Sequence, residues 1–383
     1  MNQKELELYI HIPFCVKKCS YCDFLSAPAT EQTKEAYMAA LFAEIGGRAK
    51  DYKERIVTSI FIGGGTPSLL SGDSIRQLME HIREGFTLAP DAEITMEVNP
   101  GTVTAEKLTA FYGAGINRLS IGMQSAQEQE LKILGRIHDF DGFCQVYREA
   151  VEAGFTNINV DVMSGLPGQT LASYKDTLEK VLRLEPMPQH ISAYSLIVEE
   201  GTPFAAMADR GELPLPEEDT ERAMYEETIE VLAGYGFHRY EISNYALDGY
   251  ECRHNVGYWI RRDYLGFGIG AASLIGNVRF QNGRDLNAYL AHPFACREEE
   301  QSLTTQEQME ETMFLGLRLI RGVSYPEFAH CYGQTLEEVY GEVIARNVAD
   351  GLLTVREDET GRRLTLTGRG LDVSNYVMAQ FLF

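Results

Sequence analysis

Residues 9–22 read YIHIPFCVKKCSYC and carry three cysteines, Cys15, Cys19 and Cys22, in the spacing Cys-x3-Cys-x2-Cys. The loop follows a predicted strand directly and brings three soft thiolate ligands together. Such a set can bind three irons of an iron–sulfur cube and leave the fourth iron open. Structural zinc normally takes four ligands, and no further cysteine or histidine occurs in residues 23–26. Zinc and unliganded thiols are therefore the weaker alternatives.

Short apolar runs alternate with longer amphipathic segments over the first half of the chain. One amphipathic segment, residues 35–48, carries apolar residues on one helical face. This alternation predicts an α/β fold with a parallel sheet. Because the polar, glycine-rich and cysteine-rich residues follow strand ends, an incomplete (β/α)6 barrel is favoured over an open doubly wound sheet. The predicted strands are residues 6–12, 58–63, 93–98, 118–122, 157–163 and 190–196.

The second predicted strand ends in the glycine triplet Gly63-Gly64-Gly65, followed by Thr66 and Pro67. Glycines after a strand often form only a turn, because glycine adopts positive φ at no steric cost. Facing the cysteine loop, the triplet would also permit close backbone approach and aim N–H groups at a carboxylate. Thr66 would add a hydroxyl to such a site.

A stretch rich in proline and acid, GELPLPEED at residues 211–219, ends the β/α pattern and marks a predicted boundary. We expect a barrel at residues 1–210, a connecting region packed on the barrel at 211–302, and a smaller domain at 303–383. The last segment predicts three helices, a hairpin and a final helix, an order typical of a winged-helix-like domain. No basic recognition surface is evident there, so its expected role is structural.

Composition excludes several classes of protein. The 34 basic residues against 56 acidic residues give a net charge of −22, which argues against a nucleic-acid partner. The seven cysteines are an odd number in a long chain, unlike a secreted disulfide framework. No signal-peptide pattern and no apolar stretch of about 20 residues is present, so no membrane span is predicted. We expect a cytoplasmic protein in which the four remaining cysteines are inert.

The cysteine motif after a first strand, with GGGTP after the second, resembles the radical S-adenosylmethionine superfamily. The longer strings YIHIPFC, MEVNP, LSIGMQS, LGRIHD, DVMSGLPGQT, HNVGYW and YLGFGIGA resemble the oxygen-independent coproporphyrinogen III oxidase-like family, from Tyr9 to about residue 275. The resemblance implies a 4Fe-4S cluster on the three cysteines and S-adenosylmethionine on its open iron. The residues that match the family's S-adenosylmethionine contacts are Tyr9, Gly64, Gly65, Thr66, Glu97, Gln124, Arg136 and Asp161.

The chemistry of some of these residues supports the match independently. Glu97 is suited to bind an ammonium group or ribose hydroxyls, and Asp161 could bind ribose hydroxyls; a solvated carboxylate at a strand edge is the weaker alternative for each. Arg136 can pair with a carboxylate through its fork of donors, or it can cap a loop. Gln124 is a neutral amide that could equally satisfy buried backbone groups.

Two departures distinguish the chain from the oxidase itself. Phe24 stands where the oxidase has a further cysteine, and the first strand begins without the oxidase's N-terminal extension. Both features resemble the HemW-type heme chaperone branch, which implies heme as cargo, acceptor hemoproteins as partners and a one-electron donor. Peripheral contact with membrane-bound acceptors is compatible with this role. Oxidative decarboxylation of coproporphyrinogen III is the alternative function, so the sequence leaves open whether the protein is an enzyme.

The run Arg253-His254-Asn255-Val-Gly-Tyr258-Trp259 also matches that branch. His254 is a candidate heme ligand, and Tyr258 or Trp259 could stack on a porphyrin face. The alternative is that His254 satisfies buried groups while Trp259 anchors the connecting region. Two further hypotheses, a radical-based RNA-modifying enzyme and a structural zinc protein, are disfavoured by the charge and by the open ligand set.

Overall fold

The computed structural model describes residues 4–294 and 297–382. At its centre six parallel strands lie side by side in chain order, each bonded to the next. The predicted incomplete barrel is confirmed, because the sheet curves without closing. These strands are β1 Lys4–Ile12, β2 Arg55–Gly64, β3 Thr87–Val98, β4 Arg118–Gln124, β5 Ile158–Ser164 and β6 His190–Ser195.

The strands are two-faced, with side chains alternating between the helices outside and the barrel interior. In β4, Leu119 and Ile121 pack in the main hydrophobic core, while Arg118 and Ser120 line a cavity inside the barrel. In β1, the buried leucines and isoleucines likewise alternate with the polar residues Glu7, Tyr9 and His11. The interior of this barrel is therefore polar, unlike the apolar layers that fill a closed barrel.

Helices cover the outside of the barrel. Most begin at a Ser, Thr or Asp whose side chain accepts a hydrogen bond from a backbone N–H of the first turn. The helices of this part of the chain are α1 Glu31–Arg48, α2 Gly72–Gly85, α3 Ala105–Ala114, α4 Glu128–Leu134, α5 Phe140–Glu152, α6 Leu171–Leu182, α7 Pro203–Asp209 and α8 Glu218–Gly234. None of the helices in the described ranges is both long and apolar enough to cross a membrane.

Residues 211–302 extend both edges of the six-stranded arc. On the β6 side, two antiparallel strands, β7 His238–Arg239 and β8 Asn244–Ala246, pair outward from β6. On the β1 side, β9 Tyr264–Phe267 is parallel to β1 and is followed by three antiparallel strands. These are β10 Ala272–Ile275, β11 Val278–Asn282 and β12 Arg297–Ser302. In this twelve-stranded sheet of the described residues, no strand of the barrel lies at an edge.

A short helix, α9 Arg253–Trp259, closes the base of the barrel. Its N-terminus carries no cap from its own chain segment, since the preceding Cys252 makes no side-chain cap bond. The carboxylate of Glu93, on β3, supplies the cap. It accepts hydrogen bonds from the backbone N–H groups of Arg253 at 3.0 Å and His254 at 3.1 Å. A buried negative charge at a helix N-terminus satisfies otherwise orphaned donors.

The C-terminal segment has its own hydrophobic core and follows the predicted order of three helices and a hairpin, but a short strand is added and two short helices replace the single predicted final helix. After α10 Leu286–Ala291 come α11 Thr305–Gly316, α12 Tyr325–Tyr332 and α13 Leu336–Ala349, then the hairpin and two short helices. The small strand β13 Val323–Ser324 joins the hairpin in a three-stranded sheet. The hairpin is β14 Leu353–Asp358 with β15 Gly361–Leu366, and the final helices are α14 Gly368–Asp372 and α15 Ser374–Ala379.

Because Glu93 caps α9 from a buried position, we expect Glu93→Ala to lower the free energy of unfolding by about 2–4 kcal/mol, mainly through the two backbone donors left unsatisfied. Urea denaturation followed by circular dichroism measures the change. Glu298→Ala, which removes an exposed acid from β12, is the matched control. Equal losses in the two variants would contradict the capping role.

Candidate functional site

A cavity of about 590 Å³ opens at the carboxyl ends of the parallel strands and extends into the barrel. Its volume falls in the range of ligand sites. We call it the barrel cavity. It brings together the three cysteines and seven of the eight residues matched to S-adenosylmethionine contacts. Those seven are Gly64, Gly65, Thr66, Glu97, Gln124, Arg136 and Asp161.

The cysteine loop is held by its backbone at several points. Cys15 N–H donates to the carbonyl of Ala27, and Ser20 N–H donates to the carbonyl of Leu134 at the end of α4. In turn, Phe204 N–H at the start of α7 donates to the carbonyl of Ser20. The loop therefore depends on segments far along the chain for its shape, which fixes the direction of its thiols.

Two of the thiols also receive side-chain contacts. The Thr66 hydroxyl donates to Cys15 Sγ at 3.4 Å, and Arg136 Nη1 lies 3.8 Å from Cys19 Sγ. Burial raises the pKa of Cys22, and the neighbouring thiols of Cys19 and Cys15 add to the rise. Binding to a metal would reverse this effect, because the thiolate is the form that ligates.

All three thiols line the barrel cavity. Ligands of one tetrahedral zinc ion would lie roughly 3.8 Å apart, given Zn–S bonds of about 2.3 Å. In the described parts of the chain, no group of three or more His, Cys, Asp or Glu side chains is placed to hold a single metal ion. A 4Fe-4S cube takes one thiolate on each of three separate irons, which three cysteines on one loop can supply.

The glycine triplet serves close packing more than ligand binding. Gly64 has φ of +112°, and a Cβ there would lie 2.5 Å from the ring of His11. Gly65 donates its N–H to the carbonyl of Ile12 at 2.8 Å, and Gly64 donates to Glu97 Oε2 at 3.1 Å. We predicted that these N–H groups would face a ligand carboxylate. In the structure, those of Gly64 and Gly65 instead donate to groups of the protein itself. The one carboxylate they meet belongs to Glu97.

Glu97 on β3 and Asp161 on β5 contribute two carboxyl groups to the cavity wall. Burial and the nearby charge of Asp161 raise the pKa of Glu97 to about 8, against the lowering effect of the Gly64 N–H. Burial also raises the pKa of Asp161, although hydrogen bonds from Asn159 and Ser120 oppose it. Two neighbouring carboxyl groups with raised pKa values can accept hydrogen bonds from a cationic or hydroxyl-rich ligand.

Arg136 and Gln124 are both held by protein groups at the cavity wall. Arg136 Nη2 donates to Asn99 Oδ1 at 2.5 Å and to the carbonyl of Gly122 at 2.6 Å, which leaves Nη1 near Cys19. Gln124 ends β4 with φ of +72°, unusual for a residue with a side chain. Its Oε1 accepts a hydrogen bond from the Tyr194 hydroxyl at 2.8 Å, which directs the amide into the cavity.

Tyr9 does not line the cavity. Its hydroxyl hydrogen-bonds His11 Nδ1 at 3.0 Å, and its ring stacks on Phe61, which does line the cavity. Burial and the charge of Glu97 raise the pKa of Tyr9, so the two groups are close. Tyr9 is partly exposed and lies next to residues of the cavity wall.

His254 is placed in the base of the barrel rather than at a ligand site. Its Nδ1 hydrogen-bonds Ser59 Oγ at 2.8 Å, its Nε2 hydrogen-bonds the Tyr258 hydroxyl at 3.1 Å, and its side chain is 1% exposed. Burial lowers the pKa of His254 to about 3. The geometry does not support the expectation that His254 ligates heme, because both nitrogens are engaged. It matches the alternative of a satisfied core histidine.

Trp259 anchors the C-terminal segment, because the guanidinium of Arg318 lies 4.4 Å from the centre of its ring. The remaining cysteines differ among themselves. Cys252 is buried, and burial raises its pKa to about 12. Cys144 is half-buried, whereas Cys331 is exposed and so departs from the expected burial. Cys296 lies outside the described residues.

Several polar residues of the cavity were missed by the sequence reasoning, which looked only at strand ends. Arg118, Ser120, Asn159 and Ser192 line the cavity from within the strands. A period of two connects the first three to a predicted site residue, as in Arg118-x-Ser120-x-Gly122-x-Gln124 and Asn159-x-Asp161, whereas no site residue was predicted on the strand of Ser192. That alternation of polar positions inside apolar strands was available in the sequence.

Comparisons with known proteins agree over the whole chain. Residues 9–181 match the Radical SAM superfamily, and residues 303–373 match the HemN C-terminal domain. Heme chaperone HemW of Lactococcus lactis is 37% identical over 383 residues, covering 100% of this chain and 98% of that protein. Heme chaperone HemW of Bacillus subtilis is 38% identical, with 98% of each covered.

Among solved structures, coproporphyrinogen III oxidase (HemN) from Escherichia coli is similar with a TM-score of 0.84 and 27% identity. The match covers 99% of this chain and 90% of that chain.

The raised pKa of Glu97 predicts a pH dependence of stability. In the unfolded chain the carboxyl loses its proton near 4.5, whereas the folded protein retains it up to about 8. The folded state therefore binds more protons between these values, and its free energy of unfolding falls by up to about 1.4 kcal/mol per pH unit as the pH rises. We expect Glu97→Gln to reduce this slope, as measured by urea denaturation from pH 5 to 9. Parallel slopes in variant and wild type would contradict the assignment.

Proposed function

Because the chain belongs to the radical S-adenosylmethionine superfamily, in the family of the HemW proteins, we propose that it is a cytoplasmic heme chaperone that binds heme and transfers it to acceptor hemoproteins. Membership implies a 4Fe-4S cluster and S-adenosylmethionine. We further propose that the protein receives electrons from a one-electron donor and makes peripheral contact with membrane-bound acceptor proteins.

The residues of the barrel cavity fit the implied cofactors. Cys15, Cys19 and Cys22 would hold the cluster, with Thr66 and Arg136 next to two of the sulfurs. When bound, the cluster supplies one electron for reductive cleavage of S-adenosylmethionine. Glu97 and Asp161 would accept hydrogen bonds from the ammonium or ribose groups of that molecule. Gln124 would present its side-chain amide, whose Oε1 accepts a hydrogen bond from the Tyr194 hydroxyl.

An apolar rim surrounds the mouth of the barrel cavity, and this rim is the observation that supports the proposal of heme binding. Four large hydrophobic residues line the cavity and are 50% to 68% exposed, namely Val16, Phe24, Ile137 and Ile197. Exposed apolar side chains gathered at one opening mark a binding site rather than scattered surface residues. A planar macrocycle with an apolar face would cover them.

Two lysines complete the rim. Lys17 and Lys18 stand on the cysteine loop, are exposed, and line the same cavity. In the described residues neither forms a salt bridge, although acids outnumber bases in this chain by 22. Paired cations beside an apolar surface fit a ligand with two carboxylates at one edge, as heme has. Phe24 adds to the apolar surface where the oxidase carries its further cysteine.

A second candidate function is oxygen-independent coproporphyrinogen III oxidation. The TM-score of 0.84 to HemN favours it, and the same rim would accept a porphyrinogen. Incubation of the reconstituted protein with coproporphyrinogen III, S-adenosylmethionine and reductant separates the two functions. Formation of protoporphyrinogen IX at a catalytic rate would favour the oxidase over the chaperone.

We expect Cys19→Ser to abolish the visible absorbance of the reconstituted cluster and the cleavage of S-adenosylmethionine, because a hard hydroxyl replaces a soft thiolate ligand. Hemin binding, followed by absorbance titration, should remain, since the rim does not include Cys19. Cys144→Ser, outside the cavity, is the control for loss of a half-buried thiol. A normal cluster in Cys19→Ser would contradict the ligand assignment, and joint loss of hemin binding would show that the two functions are coupled.

The double variant Lys17→Glu, Lys18→Glu is expected to weaken hemin binding roughly tenfold, because the two rim ion pairs become repulsive. Lys50→Glu with Lys53→Glu makes the same change of net charge at exposed positions away from the cavity. An equal loss in both double variants would show only a general effect of charge. An unchanged dissociation constant in the rim variant would place heme elsewhere.

A further inference from the structure

The barrel cavity continues inward past Gln124 toward the base of the barrel. Arg118 begins β4 and Gln124 ends it, and both residues line the cavity. A parallel strand rises about 3.3 Å per residue, so their Cα atoms are separated by roughly 20 Å along β4. Asn255 lines the cavity from α9, the helix that closes the base. We call this inner end the cavity floor and define it by Arg118, Asn159, Ser192, Asn244 and Asn255.

Three of the floor residues belong to a network of hydrogen bonds within the protein. The Ser192 hydroxyl donates to Asn244 Oδ1 at 2.6 Å. Asn159 Nδ2 donates to Asp161 Oδ1 at 2.7 Å and to Ser120 Oγ at 2.8 Å. These side chains therefore form a fixed polar wall that has already found its partners.

Arg118 has no such partners. The residue is 2% exposed, and its Nε is buried without a hydrogen bond. Within residues 4–294 and 297–382, no hydrogen bond or salt bridge engages its guanidinium group. A guanidinium stays charged at every physiological pH, and a buried charge is normally paired or hydrogen-bonded. Arg118 thus presents open donors to the cavity that it lines.

Two carboxylates act on this charge without bonding to it. Burial lowers the pKa of Arg118, whereas the charges of Glu93 and Asp161 raise it. Glu93 accepts hydrogen bonds from two backbone N–H groups of α9, and Asp161 accepts one from Asn159. Neither acid forms a salt bridge with Arg118 in the part of the chain that the structure describes. Both carboxylates are committed to other donors, so the N–H groups of Arg118 remain available to a ligand.

Asn255 supplies a second open donor. Asn255 is half-buried, and among the described residues its side-chain amide has no hydrogen-bond partner. Its backbone N–H donates to the thiol of Cys252, which also interacts electrostatically with Arg118. Arg118 and Asn255 are therefore both neighbours of one buried thiol, and both line the same cavity.

We propose that the cavity floor binds the carboxylate group of a small, singly charged molecule. The planar donor fork of Arg118 suits bidentate contact with both carboxylate oxygens. The side-chain amide of Asn255 would donate a further hydrogen bond to the same group. This site lies at the opposite end of the cavity from the exposed apolar rim, and its ligand does not depend on the proposed cluster or heme.

The acids around the floor favour a ligand with one negative charge. Glu97 has a pKa of about 8 and so carries little charge at pH 7, but Asp161 and Glu93 act directly on Arg118. One guanidinium can neutralise one carboxylate. A phosphate group carries further negative charge at pH 7, and that charge would be left unpaired in a buried site. The floor therefore suits a monocarboxylate better than a phosphate.

Thermal unfolding of the full chain at pH 7 tests the proposal, with sodium formate, acetate and propionate as probes against sodium chloride of equal ionic strength. We expect at least one carboxylate to raise the melting temperature of the wild type, and the dependence on its concentration gives a dissociation constant. Arg118→Met removes the charged donors but keeps a long side chain, and it should raise that constant at least roughly tenfold.

Asn255→Asp is the second variant, and it decides the question if Arg118→Met fails to fold. It places a carboxylate of nearly the same shape beside the guanidinium, so it should weaken binding of the probe to a similar extent. Arg148→Met, which replaces an exposed arginine on α5, is the matched control and should bind like the wild type.

Three results would overturn the proposal. No rise above sodium chloride with any carboxylate would show that the floor holds only water. An unchanged dissociation constant in folded Arg118→Met or in Asn255→Asp would place the carboxylate elsewhere. A larger rise with sodium phosphate than with every carboxylate would contradict the selection for a single charge. Because neither cluster nor heme enters the assay, failure here would leave the chaperone function untouched.

Discussion

The structure depends on one constraint. A half-open barrel of parallel strands must provide hydrogen-bond partners for the polar side chains on its inner face. Each strand has a period of two, so its apolar residues pack on the helices while its other face points inward. In this chain the inward face is polar along much of β4 and β5. Buried polar groups need partners. The carboxyls, amides and hydroxyls therefore bond to one another around a cavity, and that network is the candidate site.

The same constraint explains how the base of the barrel is built. Glu93 caps the N-terminus of α9, and the ring of His254 hydrogen-bonds both Ser59 and Tyr258. Glu7 is wholly buried beside this group, and burial raises its pKa to about 8. A histidine with both nitrogens engaged in such a network serves the closure of the barrel. Within the HNVGYW motif, His254 thus has a structural role, whereas its neighbour Asn255 lines the barrel cavity.

At the mouth of the barrel cavity, the side chains are exposed to solvent instead of being hydrogen-bonded inside the protein. The cysteine loop is pinned by backbone hydrogen bonds, while its intervening side chains, Val16, Lys17 and Lys18, point to solvent. Apolar residues from the ends of other elements gather next to them. A rigid loop that presents a mixed apolar and basic surface is pre-organised for an amphiphilic anion. The proposal of a heme chaperone combines this surface with the family membership.

Sequence alone determined the features set by short-range spacing. The Cys-x3-Cys-x2-Cys loop, the six strands to within a few residues and the order of the C-terminal helices and hairpin follow from local periodicity and turn chemistry. Tertiary structure decided the rest, because it depends on contacts between distant segments. His254 hydrogen-bonds Ser59, which lies 195 residues earlier in the chain, and Arg136 reaches Cys19 over a separation of 117 residues. The local sequence pattern indicates which residues face inward, but only the packing of distant segments determines which of those residues contact one another.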